Sequence, residues 1–113
     1  MSASQVVQDG GMTDPKQKLT AADVEEAGLG GWQHAGDTIR AEFATGDFAT
    51  GLHLVTLIGE SADAANHHPD VTLTYPSVSV TLSSHDVGGV TSPDIDLARD
   101  INRHAEKLGV APA

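Results

Sequence analysis

Two stretches at the centre of the chain alternate between apolar and polar residues: Val71-Thr72-Leu73-Thr74-Tyr75 and Val78-Ser79-Val80-Thr81-Leu82. A period of two marks strands buried on one face, and Pro76-Ser77 between them supplies a turn, so the pattern predicts an antiparallel hairpin. A second hairpin is predicted upstream, with Trp32 to Ala35 and Thr38 to Ala44 on either side of a Gly36-Asp37 turn. Its longer strand places Ile39, Ala41 and Phe43 inward and Thr38, Arg40 and Glu42 outward. Trp32 is expected to anchor the core.

Helical spacing fills the remainder. Thr20 reads as an N-cap with Asp23 at the third helical position, opening a short helix from Ala21 to Ala27 that Gly28, Gly30 and Gly31 stop. Asp47 caps a long helix from Phe48 to Ala65, with an expected apolar stripe of Phe48, Leu52, Val55, Ile58 and Ala62. Leu54 and Leu57 widen that stripe. A helix apolar over more than one face needs two partners, here its own sheet and a second subunit. Gly51 and Gly59 lower helix propensity and permit a close neighbour. Ser92 is the expected cap of a last helix, Pro93 to Leu108, with Ile95, Ala98, Ile101, Ala105 and Leu108 inward. Asp94 and Asp96 fall in its first turn, where the helix dipole favours acids. The order α-β-β-α-β-β-α predicts an α+β fold: a four-stranded antiparallel sheet with three helices packed on one face. One domain is expected over residues 19–109. A polar tail without periodicity, residues 1–18, precedes it, and a short tail follows.

Composition narrows the functions. The formal net charge is -10, and no Lys or Arg lies between Arg40 and Arg99. Nucleic acid and anionic membrane are poor partners for such a surface, and a phosphorylated substrate would find no fixed cation in the middle of the chain. The absence of cysteine removes disulfides, thiolate nucleophiles and thiolate metal sites. No apolar run reaches the roughly 20 residues of a membrane span, and the N-terminus lacks a signal-peptide pattern, so a cytoplasmic location is expected.

The candidate chemistry sits at the outer ends of the central hairpin. Asn66-His67-His68-Pro69-Asp70 enters it and Ser83-Ser84-His85-Asp86 leaves it. An antiparallel pair brings those ends side by side, so His67 and His68 are expected near His85. Adjacent residues of an extended segment point to opposite sides, which disfavours His67 and His68 on one metal ion. Ser83 and Ser84 lie beside a histidine but lack the glycine-flanked elbow of a serine nucleophile. General acid-base chemistry suits imidazoles, with Asp63, Asp86 and Asp94 available to orient them. The competing reading is that these histidines only satisfy turn backbone.

The same residues carry a resemblance. Asp63-x3-His67-His68-Pro69-Asp70, Tyr75-x2-Val78, Leu82-Ser83-Ser84-His85 and Gly89-Val90-Thr91-x2-Asp94-Ile95-x-Leu97-Ala98 resemble the pterin-4a-carbinolamine dehydratase family. Gly31-Trp32 and Phe43-x4-Phe48 match earlier segments of that family, and the likeness extends from Thr20 to Leu108. It implies elimination of water from 4a-hydroxytetrahydrobiopterin to give quinonoid dihydropterin, with neither metal nor organic cofactor. It implies a pterin as the small-molecule substrate, a homodimer or homotetramer, and a link to the aromatic amino-acid hydroxylases whose cofactor is recycled. The implied catalytic set is His67, His68 and His85: His67 and His85 as acid and base, His68 orienting the pterin. Asp63, Asp70, Ser84 and Asp94 are implied to bind substrate. Asp63 stands where the family often has Glu, Ala64 where it often has Lys, and Asn66 where it often has Asp. Some relatives instead act as assembly factors for Rubisco or as transcription coactivators. The Rubisco type commonly lacks the full histidine set, which this chain retains.

Overall fold

A computed structural model describes residues 17–113; most of the expected N-terminal tail therefore lies outside the described residues. The elements are α1 (Ala21–Glu26), β1 (Trp32–Ala35), β2 (Thr38–Ala44), α2 (Phe48–Ala65), β3 (Asp70–Leu73), β4 (Ser77–Leu82), α3 (Ser92–Lys107) and β5 (Ala111–Pro112). The fold is α+β, and the helix and strand order is the expected one, with β5 added.

The sheet is antiparallel in the order β1-β2-β4-β3. Its core face follows from the alternation: Ile39 faces Leu82, Ala41 faces Val80 and Phe43 faces Val78, and all six are buried. The intervening Arg40 and Glu42 are exposed on the other face. Trp32 packs edge-on against Phe43, with ring centroids 6.3 Å apart, and its indole N–H donates to Asn102 of α3 at 2.8 Å. The aromatic contact lies within the first hairpin, and the indole hydrogen bond anchors that hairpin to the last helix.

Four local expectations are corrected. The central turn is centred on Tyr75-Pro76, one residue early, with Thr74 N–H donating to Ser77 O at 3.0 Å. Pro76 has no N–H to give to a ladder, and its carbonyl instead accepts from Gly46 N–H at 3.0 Å. Tyr75 is consequently an exposed turn residue rather than the end of a strand.

The second correction concerns α2. Its buried line is Gly51, Leu54, Ile58 and Ala62, while Phe48 and Leu52 are 49% and 51% exposed. Gly51 decides the rotation. A Cβ there would lie 2.7 Å from Leu73 Cδ1 and 3.4 Å from Val78 Cγ2, so the bare backbone seats the helix directly on β3 and β4. Turning Gly51 inward carries Leu54 inward and leaves Phe48 and Leu52 outside.

Third, α3 is capped by Thr91, not Ser92. The Asp94 carboxylate accepts the Thr91 backbone N–H at 2.9 Å. Ile95, Ala98, Ile101 and Ala105 are buried as expected, together with Leu97. Fourth, the chain end is not a loose tail. Val110 is buried, β5 pairs with Phe43 and Ala44 beyond the end of β1, and Ala113 N–H donates to Glu42 O at 2.7 Å.

The two long helices are joined by a polar contact, His104 with the Ser61 hydroxyl at 2.7 Å. Partial burial, then the positive charges of Arg103 and Lys107, hold the His104 pKa below the usual histidine value against the opposing pull of Glu60. The unfolded chain therefore takes up this proton at a higher pH than the folded one. The stabilisation from neutral His104 is full above the ordinary histidine range and is lost as pH falls through it toward the lower folded value. His104→Gln is expected to flatten the decline of melting temperature over that window, as thermal scans at successive pH values would read. An unchanged slope would contradict this role.

Candidate active site

Helix α2 ends at Asn66, whose φ of 51° places it in the left-handed region that asparagine tolerates better than most residues. His67 N–H then returns to Ala62 O at 3.1 Å. This reversal aims the next residues across the end of the sheet, and Pro69 leads into β3 at Asp70.

His67 projects toward the start of α3. Its Nε2 forms a hydrogen bond with Asp94 Oδ1. The ring is 19% exposed and Asp94 is completely buried. The other carboxylate oxygen, Oδ2, accepts from the Ser84 hydroxyl and from Thr91 N–H, both at 2.9 Å. Ser84 and Thr91 are themselves buried. A buried carboxylate so surrounded accepts hydrogen bonds from the protein at both of its oxygens.

His68 points away from this pair. Its Nε2 lies 3.0 Å from Asp63 Oδ1 across the end of α2, and both side chains are largely exposed. His85 occupies the turn closed by Ser84 and Gly89, where Ser84 N–H donates to Gly89 O at 2.7 Å, and it is exposed. Asp86 follows in the same turn. Asp70 is exposed at the start of β3, opposite Thr81. The hairpin register thus brings the two histidine clusters to one end of the sheet. Direct hydrogen bonds join His67 to Asp94 and His68 to Asp63, and His85 directly follows Ser84, whose hydroxyl bonds the same Asp94. The arrangement offers one partly buried imidazole and two exposed ones at a single edge.

Thr91 was absent from the residues expected at the site. Its signal lay in the Thr-x-x-Asp spacing at a helix start, which reads as a capping pattern once Thr91 rather than Ser92 is taken as the cap. A cleft of about 460 Å³ lies elsewhere, between α1 and β1, lined by Val24, Leu29, Trp32, His34 and neighbouring residues; none of the three site histidines lines it. Among the described residues, no group of three or more His, Asp or Glu side chains is arranged to hold a metal ion. No helix among them is long and apolar enough to cross a membrane.

An antiparallel α+β subunit with histidine–carboxylate pairs at the outer end of its central hairpin defines the class, and comparison with known proteins supplies the family. The profile described as pterin 4 alpha carbinolamine dehydratase matches residues 17–104. A Thermosynechococcus vestitus protein, named "Putative pterin-4-alpha-carbinolamine dehydratase", is 40% identical over 91 residues, covering 79% of this chain and 96% of the relative. An Aquifex aeolicus protein of the same name is 35% identical over 94 residues, covering 81% and 95%. Among solved structures, the transcriptional coactivator/pterin dehydratase of Brucella melitensis superposes with a TM-score of 0.75 at 34% identity, covering 79% of this chain and 99% of that one. A pterin dehydratase-like protein described as a Rubisco assembly factor of the alpha-carboxysome shares the fold, with a TM-score of 0.57 at 17% identity over 66% of this chain and 88% of its own. The chain belongs to the pterin 4 alpha carbinolamine dehydratase family.

Proposed function

We propose that the protein eliminates water from 4a-hydroxytetrahydrobiopterin, using His67 and His85 as the proton-transferring pair. The observation that carries this reading is the His67–Asp94 hydrogen bond at the edge shared with His68 and His85. Dehydration breaks the C4a–O bond. One imidazolium protonates the departing hydroxyl, which leaves as water, while the other imidazole takes a ring N–H proton, and the pterin is left as the quinonoid dihydro form. The two proton movements cancel, so no redox partner is required. His68, held by Asp63 at 3.0 Å, orients the ring, and Asp70, exposed at the start of β3, is a further substrate-binding residue. A neutral, hydrogen-bonding pterin suits a central hairpin whose own sequence, between Arg40 and Arg99, has no Lys or Arg, while the Lys18 side chain lies against Gly89 of the His85 turn. The product re-enters the cofactor cycle of aromatic amino-acid hydroxylases, in the cytoplasm. His85→Ala is the specific test of the pairing: it should reduce turnover about 100-fold or more, the share a positioned acid or base supplies. Wild-type turnover in that variant would remove His85 from the mechanism.

The subunit acts as a homodimer or homotetramer. Phe48, Leu52, Val55 and Gly59 recur at helical spacing on α2; Phe48, Leu52 and Gly59 are exposed and Val55 is half-buried. Leu52→Glu is expected to shift the protein to monomer in sedimentation or size-exclusion measurements at micromolar concentration. An unchanged mass would place the contact on another surface. The coactivator and assembly-factor descriptions of the structural relatives give a second reading, in which that apolar face receives another protein. A wild-type protein that fails to accelerate dehydration but is monomeric would favour it.

A further inference from the structure

Behind His67 lies a set of buried hydroxyls that the acid-base reading does not use. Ser84 leaves β4 and Thr91 precedes α3, seven positions apart in the chain, and their hydroxyl oxygens lie 2.6 Å from each other. Ser84 Oγ also donates to Asp94 Oδ2 at 2.9 Å, while Thr91 Oγ1 stands 3.4 Å from the same oxygen. With the Ser84 proton given to Asp94, the Thr91 hydroxyl donates to Ser84 Oγ. Buried hydroxyls cost stability unless bonded, and here each finds its partner inside the network.

The consequence reaches the imidazole. The terminal torsion of an aspartate is broad, so a carboxylate held at one oxygen alone can turn. Fixing Oδ2 with two hydrogen bonds also fixes Oδ1. A neutral imidazole carries one N–H, and an acceptor opposite Nε2 keeps the proton there. We propose that the buried Ser84–Thr91 hydroxyl pair is a positioning device that locks Asp94, and through it holds His67 in the Nε2–H tautomer with Nδ1 as the proton-transferring nitrogen. Ser84, Thr91 and Asp94 are positioning residues in this account, because their polar atoms are committed within the protein. Only the catalytic consequence rests on the dehydratase reading; the tautomer does not.

The test measures ring-nitrogen chemical shifts of His67 by NMR on the neutral side of its titration, with dehydration kinetics in parallel. The variants are Ser84→Ala, the nearly isosteric Thr91→Val, and Thr91→Ser, which returns the hydroxyl. Wild type is expected to show one tautomer, protonated at Nε2. Ser84→Ala and Thr91→Val are expected to show a mixture, with kcat lowered about tenfold, a part of what an acid-base group supplies, and KM within about twofold. Thr91→Ser should restore the single tautomer and the rate. A wild-type ring protonated at Nδ1, or an unaltered tautomer in both hydroxyl-deleted variants, would overturn the proposal. Should Ser84→Ala fail to fold, the Thr91→Val and Thr91→Ser pair decides by the same signals. If the wild-type protein dehydrates no pterin, the dehydratase reading fails and the tautomer measurement still decides this one.

Discussion

His67→Ala is expected to abolish most of the protein's acceleration of pterin dehydration, lowering kcat by about 100- to 10,000-fold while the fold persists. His67 is the site imidazole that is both partly buried and bonded to a fully buried carboxylate, so its ring has a defined direction. Its removal deletes the proton carrier and leaves Asp94 still bonded to Ser84 and to Thr91 N–H. Structure should therefore survive, as circular dichroism would register, and the loss should fall on kcat more than on KM. His68→Ala should show the opposite division under the orienting role proposed for its exposed pair with Asp63. Equal losses of kcat in both variants with KM unchanged would contradict the separate roles.

Asp94→Ala is expected to have the largest effect on stability, about 3 kcal/mol, because it orphans several buried donors together. Ser84 Oγ, Thr91 N–H and His67 Nε2 each give their hydrogen bond to this carboxylate, and Asp94 is wholly inaccessible to water. The start of α3 loses its cap at the same time. For a domain of this size the melting temperature should fall by on the order of 10 °C, and urea unfolding should show a lower midpoint at constant slope. Asp94→Asn should lie between, since an amide keeps an acceptor but turns a donor toward other donors. A melting temperature for Asp94→Ala within about 2 °C of wild type would show that the network contributes little to the fold.

Much of this was legible in the sequence, and the reason is periodicity. The clean alternation of Thr38 to Ala44 fixed its inner face because a one-residue slip would expose Ile39, Ala41 and Phe43 together. Where two stripes compete on one helix, periodicity alone does not choose the buried face. Phe48, Leu52 and Val55 form as good a helical stripe as Gly51, Leu54 and Ile58, and only the contact between Gly51 and Leu73 decides which faces the sheet. A glycine scores as a weak helix residue in a hydrophobic pattern, yet here it is the point of closest approach. The site followed the same logic. Three histidines at the outer ends of one hairpin could be placed at one edge from strand pairing alone. The partner of each could not: His67 takes Asp94, 27 positions away, and His68 takes Asp63 on the preceding helix. Thr91 is hard to recognise as the cap because Ser92-Pro93 is the stronger capping signal, although the reciprocal bond from Asp94 selects the earlier residue.

The central claim is that this chain is a working dehydratase. The most direct measurement is absorbance-followed dehydration of freshly generated 4a-hydroxytetrahydrobiopterin, with the wild-type protein at substoichiometric concentration against buffer, since the compound also loses water unaided. The account predicts multiple turnovers per subunit and a rate that rises in proportion to protein. A rate indistinguishable from buffer across that protein range would contradict it.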